Sequence, residues 1–119
     1  MKKILIVEDE ELLLDAFASA LRKKNYEVEG ISSGKQAIEY VKENKPDLII
    51  LDIKLPDMSG LQVLENIRKI LPTAPIIMCT AYDTFKTDYQ VWANQVSDYI
   101  VKPIVLEEVE TKIKKIFGE

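Results

Sequence analysis

Five short apolar runs alternate with segments of helical period along the chain, and this alternation constrains the fold more than any other feature. Each run is hydrophobic at consecutive positions, which is typical of parallel strands buried on both faces of a sheet. The predicted strands are Lys3–Val7, Tyr26–Ile31, Leu48–Leu51, Pro75–Cys79 and Asp98–Val101. Right-handed crossovers between such strands place helices on both faces of the sheet. The sequence therefore predicts a three-layer α/β sandwich.

The segments between the strands carry the apolar stripes of amphipathic helices. The stripes of the first, third and last helices are Leu14, Phe17 and Leu21; Leu64, Ile67 and Leu71; and Leu106, Val109, Ile113 and Phe117. Ser-x-x-Gln patterns at Ser33 and Ser59 predict capping boxes at the starts of the second and third helices. A chain of 119 residues fits the flavodoxin-like (βα)5 sandwich, with five parallel strands in the order 2-1-3-4-5, better than a full dinucleotide-binding fold.

The composition is that of one compact domain spanning residues 1–119, with 47% apolar and 30% charged residues. The longest apolar runs, Ile4–Val7 and Leu48–Leu51, are far shorter than the roughly 20 residues of a membrane helix and too short for a signal peptide. The simplest expectation is a cytoplasmic protein without a membrane partner. Because the net charge is -4 and the small basic clusters fall at predicted helix ends, direct binding of nucleic acid is not expected.

The chain contains no histidine, which excludes several kinds of site at once. Ser-His and Cys-His nucleophile pairs, histidine-ligated zinc and histidine general bases are all ruled out. The single cysteine, Cys79, cannot form an internal disulfide and lies in the apolar run IIMC, so it is expected to be a small buried side chain.

Polar side chains follow four of the predicted strands at the point where each strand ends. They are Glu8 and Asp9 after the first strand, Asp52 after the third, Thr80 after the fourth and Lys102 after the fifth. Because parallel strands end at the same edge of a sheet, these side chains should meet in one cleft. Two carboxylates about 4 Å apart repel by roughly 4 kcal/mol at an effective dielectric of 20, so a group of three requires a cation. Ligands that are all oxygen favour a hard divalent ion, typically Mg²⁺.

Lys102 and Thr80 add a positive charge and a hydrogen-bond donor to this predicted metal site. A divalent ion and Lys102 together supply more positive charge than Asp52 alone can neutralise, which indicates that a further anion binds there. A carboxylate beside Mg²⁺ and a lysine can attack phosphorus and become an acyl phosphate. The residues themselves therefore favour phosphoryl transfer to Asp52.

Four motifs in order make the whole chain resemble a response-regulator receiver domain of two-component signalling, similar to the single-domain regulators of chemotaxis and sporulation relays. The motifs are ILIVEDE at Ile4–Glu10, PDLIILDIKLPDMSG at Pro46–Gly60, TAY at Thr80–Tyr82 and DYIVKP at Asp98–Pro103. Each motif alone is a weak pattern, but their order and spacing together are specific.

The resemblance implies a role for each residue of the cleft. Asp52 would be the phosphoacceptor, and the Mg²⁺ ligands, with Mn²⁺ as an alternative ion, would be Glu8, Asp9, Asp52 and the backbone carbonyl of Lys54. Thr80 and Lys102 would hold the phosphoryl oxygens. Ala81 would leave room for the phosphoryl group, Tyr99 would be the rotating aromatic that senses Thr80, and the Lys102-Pro103 bond would be cis.

Each of these residues also has an ordinary structural interpretation. Glu8 or Asp9 alone is a typical charge at a helix N-terminus. Thr80 alone would be a turn residue, Lys102 a surface lysine and Tyr99 a half-buried strand residue. Their joint placement at one sheet edge favours the functional interpretation for Asp9, Asp52, Thr80 and Lys102. Gly60 is expected to permit the turn that closes the loop below Asp52.

The sequence departs from the family pattern within the predicted fourth helix, residues 83–94, and directly after it. Gln95 stands where the family has a glycine, so the end of this helix is expected to be irregular. Tyr82, Phe85, Tyr89 and Trp92 form an aromatic stripe that suits either core packing or an interface. We expect Tyr89 inside and Phe85 and Trp92 at a partner surface.

The leading functional hypothesis is a phosphorylation-activated switch, not an enzyme. It would take its phosphoryl group from a histidine kinase or a histidine phosphotransfer protein and change the surface of the predicted fourth helix, fifth strand and fifth helix. That surface could serve an unidentified output partner or a homodimer. The chain would be a stand-alone regulator or the N-terminal receiver of a larger transcriptional regulator.

Three other functions have less support in the sequence. A phosphatase with an aspartyl nucleophile usually has Asp-x-Asp, whereas the third position here is Lys54. The four glycines form neither a P-loop nor a dinucleotide fingerprint, which argues against nucleotide or flavin binding. A scaffold that is never phosphorylated is disfavoured because every acidic position of the cleft is present.

Overall fold

The computed structural model of the protein describes residues 1–81 and 95–119, without the side chain of Thr80. In chain order the elements are β1 (Lys3–Val7), α1 (Glu11–Arg22), β2 (Glu27–Ile31), α2 (Gly34–Glu43), β3 (Leu48–Asp52), α3 (Gly60–Ile70), β4 (Ile76–Thr80), β5 (Asp98–Val101) and α4 (Leu106–Phe117). The predicted helix over residues 83–94, with Phe85 and Trp92, lies outside the described residues. No helix in the described ranges is long and apolar enough to cross a membrane.

The five strands form one parallel sheet in the order β2-β1-β3-β4-β5, which confirms the predicted fold class. The predicted strand bounds are right to within one residue. Two of the differences matter, because β3 extends to Asp52 and β4 extends to Thr80. Both residues therefore belong to the last pairs of the sheet, where Asp52 lies opposite Cys79 and Thr80 opposite Val101.

Two apolar clusters cover the two faces of the sheet. Successive residues of β1 point to opposite faces, so Leu5 and Val7 pack with α2 and α3 while Ile4 and Ile6 pack with α1 and α4. This double coverage explains why the strands are hydrophobic at consecutive positions. Cys79 is buried among these residues, as predicted, and burial is the main reason that its thiol pKa rises to about 12.

The helix stripes are confirmed for α1 and α3, whose predicted apolar residues are all buried. The prediction for α4 is wrong in part, because Val109 and Ile113 are buried but Leu106 is 40% exposed and Phe117 only partly covered. Leu106 is the first residue of the helix, and it lines a surface cavity with Leu13, Phe17 and Ile104 instead of packing fully in the core.

Capping and backbone conformation define the ends of several elements. Ser59 and Gln62 form the predicted capping box of α3, and the Ser33 side chain accepts a hydrogen bond from the Gln36 amide at 3.3 Å. Gln95 has a φ of 58°, in the left-handed region that favours glycine. Gln95 therefore keeps a backbone conformation suited to the family's glycine, and its carbonyl accepts a hydrogen bond from Arg68 at 3.2 Å.

Candidate functional site

Two carboxylates are buried at the carboxyl edge of the sheet. Glu8 directly follows β1 and Asp52 ends β3, and only 3% and 4% of their surfaces are exposed. The carbonyl of Ile31 at the end of β2 accepts a hydrogen bond from the Glu8 amide at 3.0 Å and so fixes the backbone there. Burial of two carboxylates is unfavourable unless a cation and hydrogen bonds compensate.

Lys102, which follows β5, is the cation that compensates for this burial. Its Nζ donates to Glu8 Oε1 at 2.6 Å and to Asp52 Oδ2 at 3.1 Å. The other oxygen of each carboxylate is bound to the backbone, because the Glu10 amide donates to Glu8 Oε2 at 3.0 Å and the Lys54 amide to Asp52 Oδ1 at 3.1 Å. All four carboxylate oxygens are thus held in place.

The pKa of Lys102 is raised above its ordinary value. Burial alone would lower this pKa, but the hydrogen bonds to Glu8 and Asp52 and the charges of these carboxylates outweigh burial. The ammonium therefore stays protonated throughout the physiological pH range.

Asp9 brings a third carboxylate to the same place from an exposed position. One oxygen from each of Glu8, Asp9 and Asp52 lies within 4.8 Å of the other two. Three carboxylates and one lysine leave two uncompensated negative charges, which a divalent cation would balance. The donor set is all oxygen and partly open to water, so it fits Mg²⁺, which keeps several water ligands and takes only a few from the protein.

The remaining predicted residues lie on β4 and β5 or directly after them. Thr80 ends β4 beside Val101, and Ala81 is exposed next to it. Tyr99 is 4% exposed and packs in the apolar cluster on the α2 and α3 side. The Lys102-Pro103 bond is cis, which confirms that prediction.

The loop between β3 and α3 passes so close to Asp52 that it needs a glycine at residue 60. The Gly60 amide donates to the Ile53 carbonyl at 2.6 Å. A Cβ at Gly60 would lie less than 3.0 Å from backbone atoms of both Asp52 and Ile53, which is too close for van der Waals contact. Gly60 does not have a positive φ. Gly60 therefore permits the loop to close below Asp52, as predicted, and it does so through close approach of the backbone and not through a left-handed conformation.

Asp57, in the same loop, is a further candidate residue that no sequence pattern indicates. Its carboxylate accepts hydrogen bonds from the Gly34 and Lys35 amides, both at 2.9 Å, and from Ser33 Oγ at 3.0 Å. These bonds, led by that from the Lys35 amide, lower the pKa of Asp57. No local pattern could reveal this contact, because the partners lie 22 to 24 residues earlier in the chain.

Residues 4–114 match the family model described as the response regulator receiver domain. The chain belongs to this family. Receiver domains are the domains of two-component response regulators in which phosphorylation of an aspartate acts as a signalling switch.

Known relatives of this receiver domain include both short and long proteins. It is 34% identical to the chemotaxis protein CheY of Thermotoga maritima, and the match covers 97% of each chain. It is 33% identical to the probable transcriptional regulatory protein TcrX of Mycobacterium tuberculosis, but there the match covers 95% of this chain and 48% of TcrX. The chain thus spans about half the length of several curated relatives that it matches.

Two solved structures illustrate the similarity of the fold. A CheY-like receiver domain protein from Methanospirillum hungatei has a TM-score of 0.93 and 32% identity, over 99% of this chain and 95% of that one. The response regulator TrrA of Thermotoga maritima, in complex with Mg²⁺ and BeF, has a TM-score of 0.90 and 36% identity, over 98% and 99% of the two chains.

Replacing Lys102 with methionine is expected to destabilise the metal-free receiver domain by about 2 kcal/mol, because two buried carboxylates would lose a hydrogen-bond donor. Urea unfolding at neutral pH measures this free energy. A matched control is Lys112→Met, since Lys112 donates to the more exposed Asp98 at 3.0 Å and its loss should cost less than about 1 kcal/mol. Equal losses in the two variants would contradict the assignment.

The pH dependence of the Lys102 contribution has a definite sign. A pKa that is raised on folding contributes its full stability below the unfolded value, about 10.4 for lysine, and loses it as the pH rises through the folded value. The difference in unfolding free energy between wild type and Lys102→Met should therefore be maintained between pH 7 and about pH 10 and shrink above that range.

Proposed function

We propose that this receiver domain, residues 1–119, is a cytoplasmic switch that accepts a phosphoryl group on Asp52 with the help of Mg²⁺. The observation that carries the proposal is the position of Asp52, which is buried, bound to Lys102 and grouped with Glu8 and Asp9. Glu8, Asp9, Asp52 and the backbone carbonyl of Lys54 would hold the metal, and Mn²⁺ would serve in its place. When bound, the metal supplies positive charge that neutralises the carboxylates and the phosphoryl oxygens.

The donor of the phosphoryl group is a partner histidine kinase or histidine phosphotransfer protein, since this chain has no histidine of its own. An oxygen of Asp52 attacks phosphorus, the P–N bond of the donor's phosphohistidine breaks, and its electron pair stays on the imidazole nitrogen. Lys102 then exchanges its bond to Asp52 Oδ2 for one to a phosphoryl oxygen, and Thr80 donates a hydrogen bond to another.

Lys54 argues against the alternative of a phosphatase with external substrates. In an Asp-x-Asp site a second carboxylate two residues after the nucleophile would act as general acid. Lys54 occupies that position, and a protonated lysine cannot replace the carboxylic acid in this role. The domain is therefore a phosphoryl acceptor and not an enzyme that turns over an external substrate.

The output of the switch is proposed to pass through Tyr99 and the surface next to β5. Tyr99 lies two residues before Val101, which pairs with Thr80, so a change at Thr80 has a short path to the aromatic ring. Phe85 and Trp92 are proposed to contact the output partner or a second copy of the chain. The domain itself contacts neither nucleic acid nor membrane.

Mg²⁺ should raise the thermal midpoint of the wild type by about 5 °C at tenfold excess over its dissociation constant, because binding to the folded state alone contributes about 1.4 kcal/mol there. Beryllofluoride, which imitates a phosphoryl group, should raise the midpoint further. Neither increment should persist at full size in Asp52→Asn, whereas Glu39→Gln, which removes an exposed carboxylate of α2, should behave like wild type. Identical shifts in Asp52→Asn and wild type would refute the metal and phosphoryl site.

A further inference from the structure

We propose that Asp57 is a positioning residue for the phosphorylation site, holding the loop of residues 53–59 to the N-terminus of α2 so that Lys54 stays beside Asp52. This inference rests on the proposed function and deepens it. Asp57 would not touch the metal or the phosphoryl group. It would act through the backbone that carries Lys54.

The contacts of Asp57 join two separate elements. Its Oδ1 accepts from the Gly34 amide and its Oδ2 from the Lys35 amide and Ser33 Oγ, at distances of 2.9 to 3.0 Å. The first turn of α2 contains no acidic residue, so Asp57 supplies from outside the negative charge that favours a helix N-terminus. A three-bond contact of this kind fixes both the position and the direction of the loop.

The loop transmits this position to the site through its own backbone. Lys54 and Ser59 form an antiparallel bridge, and the Gly60 amide bonds to the Ile53 carbonyl at 2.6 Å. The Lys54 amide at one end of the bridge donates to Asp52 Oδ1 at 3.1 Å. Asp57 lies in the part of the loop that this bridge closes, so any shift of Asp57 relative to α2 is passed to Lys54.

A cap that served stability alone would behave differently from a positioning residue. It would lower the unfolding temperature when removed but leave metal affinity in the folded protein unchanged. Asn44 provides the matched control, because its Nδ2 caps the opposite end of the same helix by donating to the Tyr40 carbonyl at 3.0 Å. Asn44→Ala weakens α2 without touching the loop.

The test compares Asp57→Ala, Asp57→Asn and Asn44→Ala with wild type, far below every thermal midpoint. Calorimetric titration with Mg²⁺ gives the dissociation constant, and hydrogen exchange without metal gives the protection of the Lys54 and Gly60 amides. We expect about tenfold weaker Mg²⁺ binding in Asp57→Ala, the size typical for residues that orient metal ligands, together with faster exchange of both amides. Asp57→Asn keeps one acceptor oxygen and should recover part of both effects. Asn44→Ala should match wild type in both.

Unchanged Mg²⁺ affinity and unchanged amide exchange in Asp57→Ala would overturn the inference while leaving the proposed function intact. A loss of affinity of the same size in Asn44→Ala would also overturn it, since the effect would then be general destabilisation. If the wild type itself bound no Mg²⁺, the proposed function would fail, and exchange would decide the inference alone. Faster exchange in Asp57→Ala only would support it, and equal exchange in all variants would refute it.

Discussion

Replacing Gly60 with alanine is expected to destabilise the protein by about 3 kcal/mol, at the upper end of the cost of overpacking a tight site. The new methyl group would collide with backbone atoms of Asp52 and Ile53, which cannot rotate away as a side chain can. Relief would require the loop to move away from β3, breaking the 2.6 Å hydrogen bond from the Gly60 amide to the Ile53 carbonyl. The change would therefore damage both the fold and the backbone next to the phosphorylation site.

Gly30→Ala provides the matched control for this substitution. The three atoms nearest to a Cβ at Gly30 in β2 all belong to the side chain of Leu14, at 3.0 to 3.3 Å, and a side chain can adjust by small rotations. Its cost in urea unfolding should therefore stay below about 1 kcal/mol. Equal free-energy losses in the two variants would show that the close approach at Gly60 is not a rigid constraint.

The sheet edge was predictable because strand direction alone decides which residues meet there. Once the strands were identified as parallel, Glu8, Asp52 and Lys102 had to lie at one edge, whatever the helices did. The order of the strands followed from the length of the chain and the repeated βα pattern. Both inferences depend on hydrophobic patterns that extend over several consecutive residues.

The pairing inside the site was not predictable in the same way. Glu8 was expected to serve the metal and Lys102 the phosphoryl group, but the structure joins the two at 2.6 Å. Side chains from β1 and β5 meet at a distance that depends on the twist of the sheet and on rotamers, and neither is encoded in local sequence. Glu8 and Lys102 therefore form a pair that the sequence pattern does not indicate.

Asp57 and Gly60 show a second limit of sequence analysis. Both lie in a segment whose composition predicts a turn. Asp57 has a partner far away in the sequence, and Gly60 packs against the backbone at the end of β3. Asp57 binds the first turn of α2, more than 20 residues earlier in the chain. Contacts of this kind arise only when two elements pack, so they follow from the fold and not from the motif.

We expect Asp52 to be the only carboxylate that accepts the phosphoryl group. Its Oδ2 lies 3.1 Å from the Lys102 ammonium and its Oδ1 accepts a hydrogen bond from the Lys54 amide. Glu8 contacts the same ammonium, so a substitution at Asp52 is needed to locate the phosphoryl group. Asp52→Asn replaces the nucleophilic oxygen by an amide of similar size. This change should abolish phosphoryl transfer completely while preserving the fold.

Intact-protein mass spectrometry after incubation with acetyl phosphate and Mg²⁺ tests this claim most directly. Asp47→Asn serves as the control, because Asp47 is an exposed carboxylate at the opposite edge of the sheet that bonds to the Lys3 amide. We predict one added phosphoryl group in wild type and in Asp47→Asn, none in Asp52→Asn, and none in wild type when Mg²⁺ is chelated. Labelling of Asp52→Asn to the same extent as wild type would contradict the account.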